Sequence, residues 1–233
     1  MNKTKNQSIM KKSILIAALF LFQMMSAQDI TKTLSDFSTL RVFDKIDVLL
    51  IKGSENKIVI KGSRAQDVEL VSKNEELKVR MKFTKLLKGD DVSVTIYYKN
   101  IDRIDASEGS RVASQDTFKA IAFDLSAKEG AEIKIAVDTE KLTCNANSGG
   151  ILNITGKATN NDVLIKSGGI LNARELATKQ TTVTVNAGGE ANVTATDLVD
   201  AKTRAGGNIT IYGKPALLNQ KTVAGGNIQV KSK

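Results

Sequence analysis

The sequence predicts an all-β chain whose second half stacks as a β-solenoid of Gly-punctuated repeats, about 19–20 residues each. Three observations carry that expectation. Glycine recurs in SEGS, KEGA, NSGG, KSGG, NAGG, RAGG and VAGG, with first glycines at Gly109, Gly130, Gly149, Gly168, Gly188, Gly206 and Gly225. Those positions are separated by 21, 19, 19, 20, 18 and 19 residues. Apolar residues around each glycine alternate with a period of two, and helical periodicity is not convincing beyond the first 27 residues.

Residues 1–27 read as a signal peptide. Lys11 and Lys12 precede an apolar run from Ser13 to Phe22, and Met24-Met25-Ser26-Ala27 ends in small residues. A basic start, a short apolar stretch and a small-residue exit describe a secretory signal. The run is shorter than the roughly 20 apolar residues that cross a bilayer. Cleavage after Ala27 is expected, although Met25 suits the −3 position poorly. No cysteine near that site offers a lipid anchor. The mature chain is therefore expected to have no transmembrane segment and to be exported across the inner membrane, to the periplasm, the outer surface or beyond.

Residues 28–100 form an N-terminal region of short strands. Leu40–Phe43, Ile46–Ile51, Ile58–Ile60, Val68–Val71, Leu77–Met81 and Val92–Ile96 are rich in β-branched residues, with polar or Gly turns between them. Lys85 to Asp91 reads as a loop.

Residues 101–233 carry the repeats, continuous with the region before. Three and five positions after each first glycine from Gly130 on stand apolar residues: Ile133 and Ile135, Leu152 and Ile154, Leu171 and Ala173, Ala191 and Val193, Ile209 and Ile211, Ile228 and Val230. Five and three positions before it stand pairs such as Leu125 and Ala127, or Val163 and Ile165. Alternate residues of a strand share a face, so each unit supplies two strand segments that meet at a glycine corner and point into a common core. Inward positions weaken to Gln220 and Thr222 near the end, as in a terminal repeat that faces solvent. Lys231 and Lys233 supply charge that blunts that edge, and homo-oligomers through such ends remain open.

Composition excludes several function classes. The chain has 233 residues, no His, no Trp, one Pro and one Cys, with a net charge of +9. Loss of Lys3, Lys5, Lys11 and Lys12 leaves 30 basic and 25 acidic groups, a net of +5, mixed in sign along the chain. Basic patches interleaved with aromatics are missing, so no nucleic acid is expected as a partner. Cys144 cannot form an internal disulfide and falls at an inward position, where a thiol serves as a small apolar group.

Searching for chemistry returns little. Without His, neither a Ser/His/Asp nor a Cys/His arrangement can be built. Ser148 and Lys166 on neighbouring turns could pair, but a Ser beside a Gly corner is ordinarily a turn residue. Glu108, Asp116, Asp124, Glu129, Asp138 and Glu140 are scattered among lysines rather than paired for glycoside cleavage. The Gly-Gly units lack the Asp and the nine-residue period of calcium-binding repeats, and the Lys-Ser/Thr of a phosphate loop. No catalytic residue, metal site or cofactor is expected.

One constellation repeats. Four residues after the first glycine come Lys134, Asn153, Asn172, Asn192, Thr210 and Gln229. Between inward neighbours these form an outward ladder, either a polar binding strip for a cell-surface polysaccharide or protein, or amides bonded turn to turn on a solvated face. Carbohydrate sites usually offer aromatic platforms, and the tyrosines here are Tyr97, Tyr98 and Tyr212.

The order Phe37-Ser-Thr-Leu-Arg-Val, Lys45-Ile-Asp-Val-Leu-Leu-Ile-Lys-Gly, Ile58-Val-Ile-Lys-Gly, Leu77-Lys-Val-Arg-Met, Val92-Ser-Val-Thr-Ile and the later Gly207-Asn-Ile resembles the bacterial putative autotransporter adhesins with a head GIN domain. The likeness covers essentially the whole mature chain. It implies a right-handed β-helix-like fold in an exported protein, and no catalytic residues. The expectation is a non-catalytic surface or envelope protein, an adhesin-like binding or scaffold module. Two alternatives stand beside it: a polysaccharide-active β-helix enzyme, and a periplasmic structural or stress-response protein without external ligand.

Overall fold

A computed structural model describes residues 29–231. The expected signal segment, and the charge at Lys233, lie outside the described residues. Seventeen strands form one continuous hydrogen-bonded network. In chain order they are β1 (Ile30–Thr33), β2 (Thr39–Val42), β3 (Asp47–Lys52), β4 (Lys57–Lys61), β5 (Val68–Lys73), β6 (Glu76–Met81), β7 (Ser93–Tyr98) and β8 (Arg103–Ala106). The longer β9 (Arg111–Lys128), β10 (Glu132–Asn147) and β11 (Ile151–Lys166) follow, then β12 (Ile170–Asn172), β13 (Leu176–Asn186) and β14 (Glu190–Arg204). The chain closes with β15 (Asn208–Tyr212), β16 (Leu217–Val223) and β17 (Asn227–Lys231).

From β8 onward the chain climbs as a parallel solenoid. Ile133, Leu152, Leu171, Ala191, Ile209 and Ile228 are successive Cα partners, as the offset of three predicts. Cys144 pairs in register with Leu125 and Val163. The inward residues from Ile104 to Ile211 merge into one buried cluster with the N-terminal strands.

Each corner is a two-residue turn with both central residues left-handed. At the turn from Asn147 to Gly150, Ser148 and Gly149 have φ of 48° and 76°, and the Gly150 N–H donates to the Asn147 carbonyl at 2.9 Å. Positive φ at both central positions defines the type I′ turn, which selects Gly at the second. Gly150 has a different reason to be glycine. A Cβ there would lie 2.1 Å from the Ala127 carbonyl oxygen of the adjoining turn, so the two backbones approach too closely for any side chain.

An eighth corner has no glycine. Asp44 and Lys45, both at φ 61°, join β2 to β3, and the Lys45 N–H donates to the Glu108 carbonyl of the next corner at 2.9 Å. β2 pairs in parallel with β8, and β3 with β9, so the solenoid begins well before residue 100. The rungs there are out of chain order. β6 and β7 stack outside β2 and β3, and β4 and β5 lie antiparallel over β7 and β6, with β1 antiparallel outside β4. This reversal caps the solenoid and keeps Ile58, Ile60, Leu77, Val79 and Met81 buried.

Candidate functional site

The outward ladder forms as the spacing requires. Lys134, Asn153, Asn172, Asn192, Thr210 and Gln229 are Cα partners in one continuous column. Its amides are joined along the axis. Asn153 donates to Glu132 Oε1 at 2.6 Å, Asn172 to Asn153 Oδ1 at 2.8 Å, and Asn192 to Asn172 Oδ1 at 3.4 Å. Asn192 also donates to Glu190 at 2.9 Å. Gln229 donates to the Thr210 hydroxyl at 3.1 Å. Thr210 is buried rather than outward-exposed, because its short side chain lies beneath the Gln229 amide.

A groove of about 460 Å³ runs beside the Lys134–Asn153–Asn172 stretch. Its floor includes Ile135 and Ile154, and its two walls are Ser114–Gln115 and Arg174–Glu175. Both walls come from irregular repeats. Lys134 faces Ala113 while Ala136 faces Thr117, so Ser114, Gln115 and Asp116 bulge out opposite one residue of β10. These are the two additional residues of the 21-residue repeat. On the other side Asn153 pairs with Asn172 but Gly156 pairs with Leu176, which places the extra residue of the 20-residue repeat among Ala173, Arg174 and Glu175. The ladder was legible in the sequence; the walls were not singled out, though the spacings 21 and 20 mark them.

The walls are held in place. Ser114 donates to the Leu50 carbonyl at 2.9 Å, and the Asp116 N–H donates to Ser114 Oγ at 3.1 Å. The Arg174 guanidinium lies over the Tyr212 ring at 4.6 Å, a cation–π contact, and Thr194 donates to its carbonyl at 2.7 Å. The groove thus combines fixed amides with Lys134, Arg174 and Glu175, an arrangement that can hydrogen-bond and pair charges.

The bulge also borders a second cleft, of about 560 Å³, at the edge opposite the glycine corners. Tyr98 and Phe118 stack there with ring centroids 5.2 Å apart and planes within 11°, and Phe123 packs beyond Phe118. Tyr98 is buried, so it is a core residue and not an exposed platform. Burial, then the nearby Asp116 carboxylate, pushes its hydroxyl up to about 12, against a smaller downward effect of its hydrogen bond with Ser114. Asp116 accepts from the Lys52 N–H at 2.6 Å, and Lys52 Nζ donates to the Lys99 carbonyl, so the charges at this cleft are engaged within the chain.

The remaining candidates are dispersed. Asp138 pairs with Lys157 at 3.4 Å, while Glu108 lies at a corner beside Asp44. Ser148 is a left-handed turn residue. Cys144 is fully buried, and burial drives its thiol far above the ordinary range. Among the described residues no group of three His, Cys, Asp or Glu side chains could hold a metal ion, and no helix is long and apolar enough to cross a membrane.

A family model described as "Putative auto-transporter adhesin, head GIN domain" matches residues 36–215. Among solved structures, a putative adhesin from Bacteroides fragilis shares 16% identity, with 89% of this chain and 98% of that chain covered and a TM-score of 0.80. A putative adhesin from Parabacteroides distasonis shares 20% identity over 88% of this chain and 97% of that one, with a TM-score of 0.72. A putative lipid binding protein from the same species shares 13% over 88% and 98%, with a TM-score of 0.66. At such identities these structures show the shared solenoid fold. No curated protein matches the sequence significantly.

Proposed function

We propose, from the premise that this chain belongs to the putative auto-transporter adhesin, head GIN domain family, that it is an exported, non-catalytic envelope protein with an adhesin-like binding role. Its ligand lies in the groove beside Lys134, Asn153 and Asn172, between the bulge at Ser114 and the wall at Arg174. One observation carries this reading: a row of amides fixed in orientation by one another, flanked by walls that two departures from the repeat length create. An amide has two N–H donors and an oxygen with two acceptor sites. The Asn172 and Asn153 amides use part of that capacity along the axis, and the remainder faces outward. Preorganised donors and acceptors bind at low entropic cost. Hydroxyl-rich polysaccharide or extended peptide has the matching chemistry.

Binding is tested on a panel of immobilised bacterial and host polysaccharides and surface proteins. Asn172→Ala and Arg174→Ala should each weaken wild-type binding about tenfold, the loss of one or two hydrogen bonds. Lys119→Ala, in the other cleft, should leave it unchanged. Equal binding by all three variants would remove the groove from the account. Exposure is tested by antibody labelling of intact against permeabilised cells, with a periplasmic control. Labelling of intact cells fits a surface adhesin. Labelling confined to permeabilised cells would contradict that and leave a periplasmic scaffold, whose amide ladder serves only the stack.

A further inference from the structure

We propose that the segment Lys82–Lys88, between β6 and β7, is a docking loop that seats the capped end of the solenoid on an anionic lipid surface. Every other rung with a corner on this edge turns in two residues. The outermost rung, β6–β7, instead carries the stretch 82–92, beginning Lys-Phe-Thr-Lys-Leu-Leu-Lys. All seven of those residues are exposed, and Phe83 is the most exposed large apolar side chain described, at 86%. Leu86 and Leu87 follow at 46% and 50%.

Single apolar side chains on a surface are ordinary. Three on one short loop whose backbone is built to present them are not. The buried Asp44 carboxylate accepts from the Met81 N–H at 3.0 Å and the Leu87 N–H at 2.8 Å, and the Asp44 carbonyl accepts from the Gly89 N–H at 3.0 Å. Lys85 and Lys88 N–H groups close successive turns on the Lys82 and Lys85 carbonyls. Leu87 sits at φ 59°, a left-handed conformation that branched and bulky residues rarely adopt. The loop is therefore held with its apolar side chains outward at a conformational cost, not left extended by default.

Charge selects the occupant. Lys82, Lys85 and Lys88 alternate with the apolar residues, and no acid stands between 82 and 89. Lys82 lies 3.9 Å from Asp67, and the neighbouring Asp91 is engaged with Arg64 at 3.7 Å. Among the described residues neither Lys85 nor Lys88 pairs with a carboxylate. Apolar side chains that enter the acyl boundary, ringed by lysines at the phosphates, are the chemistry of interfacial membrane binding. A protruding tip of seven residues is small beside the roughly 800 Å² per partner of a stable protein interface. The groove lies on the solenoid wall several rungs away, so docking through the cap leaves it free.

The chain contains no Trp, so Phe83→Trp introduces a single fluorescent reporter at the loop tip. This variant of the mature chain is mixed with vesicles of phosphatidylglycerol and phosphatidylcholine, or of phosphatidylcholine alone. Emission from the introduced indole should shift to the blue and be quenched by brominated acyl chains with the anionic vesicles, much less with neutral ones. In co-sedimentation, Phe83→Ser with Leu86→Ser should reduce binding at least tenfold, and Lys85→Glu with Lys88→Glu likewise, with thermal midpoints near wild type because all four side chains are exposed. Wild-type protein that stays in the supernatant, or variants that sediment equally well, would overturn the proposal. Absence of vesicle binding together with protection of the same indole by a protein from the envelope would assign the loop to a protein partner instead.

Discussion

The two ends of this solenoid are built differently. At the N-terminal end β4 and β5 run antiparallel to the rung beneath, and β1 lies outside β4, so the first inward residues meet a covering layer. Ile58 and Ile60 on β4 are essentially inaccessible. At the other end β16 and β17 continue the parallel stack with no strand beyond them among the described residues, and Leu217, Val223 and Val230 are exposed. Parallel stacking repeats its own edge indefinitely, whereas a reversed strand ends the repeat. The same inward offset therefore has very different energetic weight along the axis.

Ile133 and Ile228 occupy that same offset, which gives the widest contrast. Ile133→Ala should cost about 2–5 kcal/mol, the ordinary range for a fully enclosed Ile. Ile228→Ala, partly exposed on the last rung, should cost less than about 1 kcal/mol. Urea melts of the two variants check this, and equal losses would mean that something covers the last rung.

Within a corner, the two glycines should separate. Gly150→Ala pushes a Cβ into the Ala127 carbonyl and should cost about 2–3 kcal/mol. Gly149→Ala has open space around the new atom and meets only the left-handed backbone, so about 1 kcal/mol is expected. If the order inverts, backbone strain and not rung spacing fixes the Gly-Gly pair.

Smaller still is the effect of Asn161, an inward residue in register with Leu142 and Thr181 whose amide nitrogen and oxygen are both buried without partners. Asn161→Leu should raise stability by about 1 kcal/mol, by removing two unmet polar groups from the core.

Least in size is a pH effect at the second corner. Burial, then the facing Asp44, raises the Glu108 carboxyl above its ordinary value, with a smaller push from Glu129 and an opposing hydrogen bond to Asp44. The folded state thus favours the protonated form, and this contribution is lost as pH rises through the raised value. Glu108→Gln should increase the thermal midpoint slightly at neutral pH, and the gain should vanish below the ordinary Glu range.

Much of this architecture was legible in the residues. Offsets of three and five from each glycine placed Ile133, Leu152 and Leu171 inward, and the offset of four placed Asn153 and Asn172 on the outer column. What escaped was whatever broke the period. The Asp44–Lys45 corner has the same left-handed pair without a glycine, because one acid anchors it with three backbone hydrogen bonds. β2 and β3 were read as strands, yet their place between β6–β7 and β8–β9 depends on non-local pairing that no local pattern records. The groove walls were present only as repeats of 21 and 20 residues, where the inserted residues bulge at Ser114 and at Arg174.

Hydrogen exchange resolved by strand tests the contrast between the ends most directly. Amides of Lys57–Lys61, flanked on both sides by β1 and β7, should be protected to a degree approaching β10, while those of Asn227–Lys231 should exchange orders of magnitude faster. Equal protection at Asn227–Lys231 would contradict an open end and require a further strand, from this chain or another copy, across it.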